Sequence, residues 1–153
     1  MTVTITHTSS NFNKLETLGT YASAVPVFKI YSGISNLING SSHNMTASES
    51  LAGCYTRTDT GDLNDTLPTA ASIVSQLNSI QGTVSVGDSF DLNIIRTSGN
   101  KNNDALDFTT NTGISFNGRN RFAGSSCSQI KFIVTNVSSG SEAVSIYCLH
   151  GNL

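Results

Sequence analysis

Residues 89–99 read SFDLNIIRTSG, a run whose alternation argues for a β fold. Phe90, Leu92 and Ile94 alternate with Ser89, Asp91 and Asn93, the period of two that turns one face of a strand to a core and the other to water. Gly87-Asp88 turns the chain into the run, and Thr97-Ser98-Gly99 ends it. Ile95 departs from the alternation by placing an apolar side chain on the polar face. Such a residue needs a second cover, either a helix of its own chain or another subunit.

The pattern recurs on both sides of this run. Residues 2–6, 25–31, 51–58, 105–110, 114–116, 129–136 and 142–149 read as strands, about eight with 90–97. Leu106 and Phe108 share a face, as do Ile130, Phe132 and Val134. In the last run Val144, Ile146 and Cys148 lie opposite Ala143, Ser145, Tyr147 and Leu149. Asn117-Gly118 suits the positive φ angles of a tight hairpin turn. One segment has a different period: Leu67, Ala70, Ile73, Val74 and Leu77 form a helical stripe, with Pro68 tolerated in a first turn. A short helix near 67–77 would close one end of a sandwich. Residues 32–50 and 98–104 read as loops. No internal repeat or linker is visible, so one domain is expected over 1–153, with 1–24 as an N-terminal strand or extension.

Composition agrees with an all-β chain. Charged residues make up 12%, about half of the ~25% usual in soluble proteins. The polarity comes from 23 Ser, 18 Thr and 16 Asn, residues of strands and turns. Net charge is −2, and the densest basic spot is Arg119/Arg121. Nucleic-acid binding needs clustered Lys and Arg to displace counterions, so no nucleic acid is expected as a partner. No run approaches the ~20 apolar residues that span a bilayer, and none is a secretion signal, which predicts a product of the cytosol. Cys54, Cys127 and Cys148 fit no metal spacing, and reduced thiols are the simplest expectation, with one bridge left open.

The chemistry-bearing motifs are weak. Asp59-Thr60-Gly61 matches the aspartic-protease triplet, but its flanks are polar where those enzymes seat the loop in apolar residues. Asp59, Asp62, Asn64 and Asp65 offer oxygen ligands to Ca²⁺ without EF-hand spacing, and Asp104 with Asp107 forms a weaker set. Both are first of all turn chemistry. Asn117-Gly118-Arg119 is an adhesion-like tripeptide that a hairpin turn already accounts for. His7, His43 and His150 are far apart, and no nucleophile elbow or phosphate loop occurs. Neither catalysis nor a cofactor or resident metal is expected.

The order LPTAASIVSQL, VGDSFDLNIIRTSG, TGISFNG and FIVTNVSSGSEAVSIY, from Leu67 to Tyr147, resembles a module of virion proteins of double-stranded DNA viruses. It covers about half of the chain. The resemblance implies a single jelly roll of antiparallel strands and a capsid role. The specific form it implies is the fivefold-vertex penton of a large icosahedral virus of the chlorovirus kind. Its implied partners are copies of itself, as a pentamer or else a trimer, and major or minor capsid proteins. Its implied location is the virion, after synthesis in the host cytoplasm. A trimeric fibre or decoration head that binds a host glycan or receptor is the alternative. The family carries no catalytic residues.

A closed ring buries two different side surfaces on each subunit. Ile95, Ile133, Tyr147 and Leu149 sit on the second face of their strands and are the candidate interface residues.

Overall fold

The structure, a computed structural model, describes residues 34–38, 40, 42–99 and 104–150. They all belong to one compact unit, Gly33–Leu153. The expected strands at 2–6 and 25–31, and the extension 1–24, lie outside the described residues.

In chain order the elements are β1 (Ile34–Ile38), β2 (Ser42–Asn44), α1 (Ala47–Ser50), β3 (Cys54–Arg57), β4 (Leu63–Thr66) and α2 (Ala70–Gln81). They continue as β5 (Ser89–Arg96), β6 (Ala105–Thr109), β7 (Ile114–Asn117), β8 (Arg121–Ala123), β9 (Cys127–Asn136) and β10 (Ala143–His150). The unit is mostly β, in two sheets ordered β1-β3-β5-β9-β10-β7 and β2-β4-β6-β8. Inward side chains of the two sheets meet: the Tyr55 ring of β3 lies 6.1 Å from that of Phe108 on β6. Phe90 and Phe132, on neighbouring strands, stack at 4.6 Å. Leu92, Ile130, Phe132, Val134, Val144 and Ile146 complete the inner layer of the larger sheet, all buried.

The sheets are mixed, which corrects the expectation of antiparallel pairing throughout. From β1 to β6 the strands alternate between sheets, so each pairs in parallel with the one two strands earlier: β1 with β3 with β5, and β2 with β4 with β6. This winding resembles the successive coils of a β-solenoid. Antiparallel pairing enters only with β8 on β6, β9 on β5 and β10 on β9, while β7 returns parallel to β10. A jelly roll pairs its strands by Greek keys, and this order of pairings departs from it. Asn117-Gly118 therefore joins strands of different sheets and does not close a hairpin.

Helix α2 starts later and runs further than its apolar stripe predicts. Thr69 caps it, accepting the Ser72 N–H at 3.2 Å, so Leu67 and Pro68 precede the helix and are buried there. Gly82, at φ 91°, ends it. Ala70, Ile73, Val74 and Leu77 are its buried stripe, and the helix packs against α1 and β10. The segment 32–50, expected as loop, contains β1, β2 and α1. Thr46 and Glu49 cap α1 reciprocally, each side chain bonding the other's backbone N–H.

Candidate assembly face and interior polar network

In β5, Phe90, Leu92, Ile94 and Arg96 are buried, and Ser89, Asp91, Asn93 and Ile95 face the other way. The register carries this outer face across the sheet in two rows. One row is Ser89, Ile133, Ser145 and Ser115; the next is Asp91, Lys131, Tyr147 and Asn117. All four candidate interface residues lie on this face. Tyr147 and Leu149, two residues apart on β10, are 41% and 42% exposed. Ile133 is diagonal to Tyr147 and partly buried.

Ile95 shares the face but stands apart from the other three, opposite Cys127 at the far end of β5. It is partly buried beside Cys127 and Thr56, while α2 takes α1 and β10 as its partners. The face is otherwise polar. Lys131 Nζ meets Asp91 Oδ1 at 2.7 Å, and the Ser115 and Ser145 hydroxyls are 3.0 Å apart.

The interior holds charged side chains. Tyr55 and Arg57 share the inward parity of β3, and Leu63 and Asp65 that of β4, all buried. The Tyr55 hydroxyl donates to Asp65 Oδ2 at 2.7 Å, and Arg57 Nε lies 3.1 Å from the same oxygen. Arg57 also reaches Asp59 at 3.6 Å and donates to the Gly40 carbonyl. In register beside it, Arg96 donates through Nη2 to the Asp59 and Gly61 carbonyls at 2.9 and 3.2 Å.

Burial holds the Asp65 carboxyl above its ordinary range, against the pull of Tyr55 and Arg57. Burial and then Asp65 push the Tyr55 hydroxyl up, and burial pulls Arg96 down against the charge of Asp104. Tyr55, Arg57 and Asp65 are sealed from solvent, so the cluster's chemistry is to hold the arch at 58–62 between β3 and β4.

The arch contains the Asp-Thr-Gly triplet, the Ca²⁺ candidates run on from it into β4, and each of their carboxylates is already engaged by this chain. Asp59 accepts the Gly40 N–H at 2.9 Å, Asp62 accepts the Ala105 N–H at 3.0 Å, and Asp65 points inward to Arg57. Asn64 turns outward and accepts the Thr109 hydroxyl. Asp107 pairs with Arg121 at 3.2 Å. Among the described residues no group of three His, Cys, Asp or Glu could hold a metal ion. His43 lies 3.1 Å from Glu49, and Cys54, Cys127 and Cys148 form no disulfide.

The interior signal was present in the parity of Tyr55–Arg57 and Leu63–Asp65, where a charged residue follows a buried apolar one by two positions. No protein-family model, curated protein or solved structure matches the chain.

Proposed function

We propose that this protein is a structural subunit of a virion shell that works by self-association, in its specific form the fivefold-vertex penton of an icosahedral double-stranded DNA virus. The observation that carries the reading is the apolar group of Ile133, Tyr147 and Leu149 on the outer face of the larger sheet. Covering these side chains with a neighbour removes apolar surface from water, at about 25 cal/mol per Å². The resemblance of residues 67–147 to virion modules supplies the kind of assembly. Low charge and a Ser/Thr/Asn-rich surface suit close packing of identical copies. The role does not require jelly-roll winding, because a mixed two-sheet unit also offers an outer sheet face and strand edges to neighbours.

Class averages of negatively stained particles test the proposal. Rings of five support the penton, trimers overturn that form, and single subunits at high concentration overturn assembly altogether.

One observation favours the alternative of a trimeric glycan-binding head. The row Asp91, Lys131, Tyr147 and Asn117 sets an exposed aromatic ring among hydrogen-bonding side chains, the mixture that polar ligands use. Saturable glycan-array binding abolished by Tyr147→Ala would select that reading.

A further inference from the structure

The chain contains two Asn-Gly dipeptides, Asn39-Gly40 and Asn117-Gly118, and the fold treats their glycine N–H groups in opposite ways. The Gly40 N–H donates to Asp59 Oδ2 at 2.9 Å, next to the Arg57 guanidinium. Gly118 follows β7, an edge strand of the larger sheet. Val144 N–H donates to the Gly113 carbonyl, which phases the β7–β10 ladder so that Ser115 and Asn117 give their N–H groups to β10. The Gly118 N–H is on the other parity and meets no acceptor among the described residues. Asn117 and Gly118 are both exposed, and a Cβ built on Gly118 would touch nothing within 4 Å.

We propose that Asn117 is a site of spontaneous deamidation in the folded protein, and that Asn39 is protected by the hydrogen bond on its glycine. The Gly118 nitrogen, losing its proton to base, attacks Asn117 Cγ, and the new N–Cγ bond closes a succinimide as the side-chain nitrogen leaves as ammonia. Water then opens the ring at either carbonyl, giving aspartate or isoaspartate. The net change is Asn plus water to Asp or isoAsp plus ammonia. The requirement is an accessible, unengaged backbone nitrogen on a residue with no side chain in the way. Gly118 meets it; Gly40 has its N–H occupied. The product adds a carboxylate to the row beside Tyr147, and its isoaspartate form inserts a methylene into the main chain at the end of β7.

The test is peptide mass mapping of the full chain after timed incubation at neutral and mildly alkaline pH, folded and in urea. Folded protein is expected to convert Asn117 at least several-fold faster than Asn39, with the rate rising with pH. In urea the two sites should approach one rate, which separates the effect of structure from that of local sequence. Asp59→Ala, checked for folding by circular dichroism, should raise conversion at Asn39 and leave Asn117 unchanged. The wild-type comparison decides the matter if that variant does not fold. Equal rates at the two sites in the folded chain, or an Asn117 that reacts only in urea, would overturn the proposal.

Discussion

Arg57 on β3 and Arg96 on β5 lie opposite each other in parallel register, two buried guanidiniums that grip the same arch between β3 and β4. Like charges side by side in an interior are tolerable only where anions and carbonyls face them. Asp65, Asp59 and the Gly40, Asp59 and Gly61 carbonyls supply that surrounding.

Removing Asp65 takes away the fully buried member of that set. Asp65→Ala should cost about 3 kcal/mol, the lower end for a broken buried pair because Asp59 still faces Arg57. The urea midpoint measures it. The double variant Arg57→Met/Asp65→Leu should recover most of the loss, since both charges are then gone. A double variant as unstable as Asp65→Ala would mean that shape, not charge, sets the penalty.

Tyr55→Phe keeps the ring against Phe108 and deletes only the hydroxyl that donates to Asp65. The expected loss is about 1.5–3 kcal/mol, the range for a hydrogen bond to a charged group. It should be smaller than that of Tyr55→Ala, which also empties a core position.

The acid side of the stability profile should report Glu49. Burial raises its carboxyl, but bonds from the Thr46 backbone and hydroxyl and from His43 outweigh that and hold it below its ordinary 4.5. A carboxyl lowered in the fold stabilises above the unfolded value, and this contribution is lost as pH falls through the lowered value. Denaturation curves across that window should flatten in Glu49→Gln. An unchanged slope would remove Glu49 from the account.

Gly113 joins α2 to the β7–β10 pair at close quarters. Its φ is +75°, and a Cβ there would come within 2.4 Å of the Glu142 carbonyl oxygen and 2.7 Å of Ala70 Cβ. Gly113→Ala should combine about 1–2 kcal/mol of left-handed strain with a further ~1–3 kcal/mol of overpacking. Gly140, at φ +78° with nothing within 4 Å, should show only the first part as alanine. Thermal melts of the two variants compare them directly.

Burial was legible in the sequence; direction was not. The inward positions read from the alternation, Phe90, Leu92 and Ile94 and then Ile130, Phe132 and Val134, are the buried ones of β5 and β9, and Arg96 joins them by parity alone. A period of two says which side chains share a face, but a parallel and an antiparallel strand show the same period. The coil-like winding was hidden for a second reason. Paired positions are 20 residues apart from Ile34 to Cys54 but 39 from Cys54 to Asn93, because α2 and its connections interrupt the second interval. Residues 42–50 read as loop because polar side chains dominate, although Thr46-x-x-Glu49 spelled a capping box. Arg57 and Asp65 were missed because charged residues are presumed solvated, and only the partner across the core reveals otherwise. The outer-face grouping of Tyr147 and Leu149 followed from parity, whereas the distance of Ile95 from them needed the register.

The proposed association brings copies of this chain together through the outer face around Tyr147 and Leu149. Light scattering coupled to size exclusion, on the wild type and on Tyr147→Asp/Leu149→Asp, reads that contact as a mass. The expected result is a discrete wild-type species of five times the chain mass and a folded single-chain variant. A monomeric wild type, or a variant that keeps the wild-type mass, would contradict it.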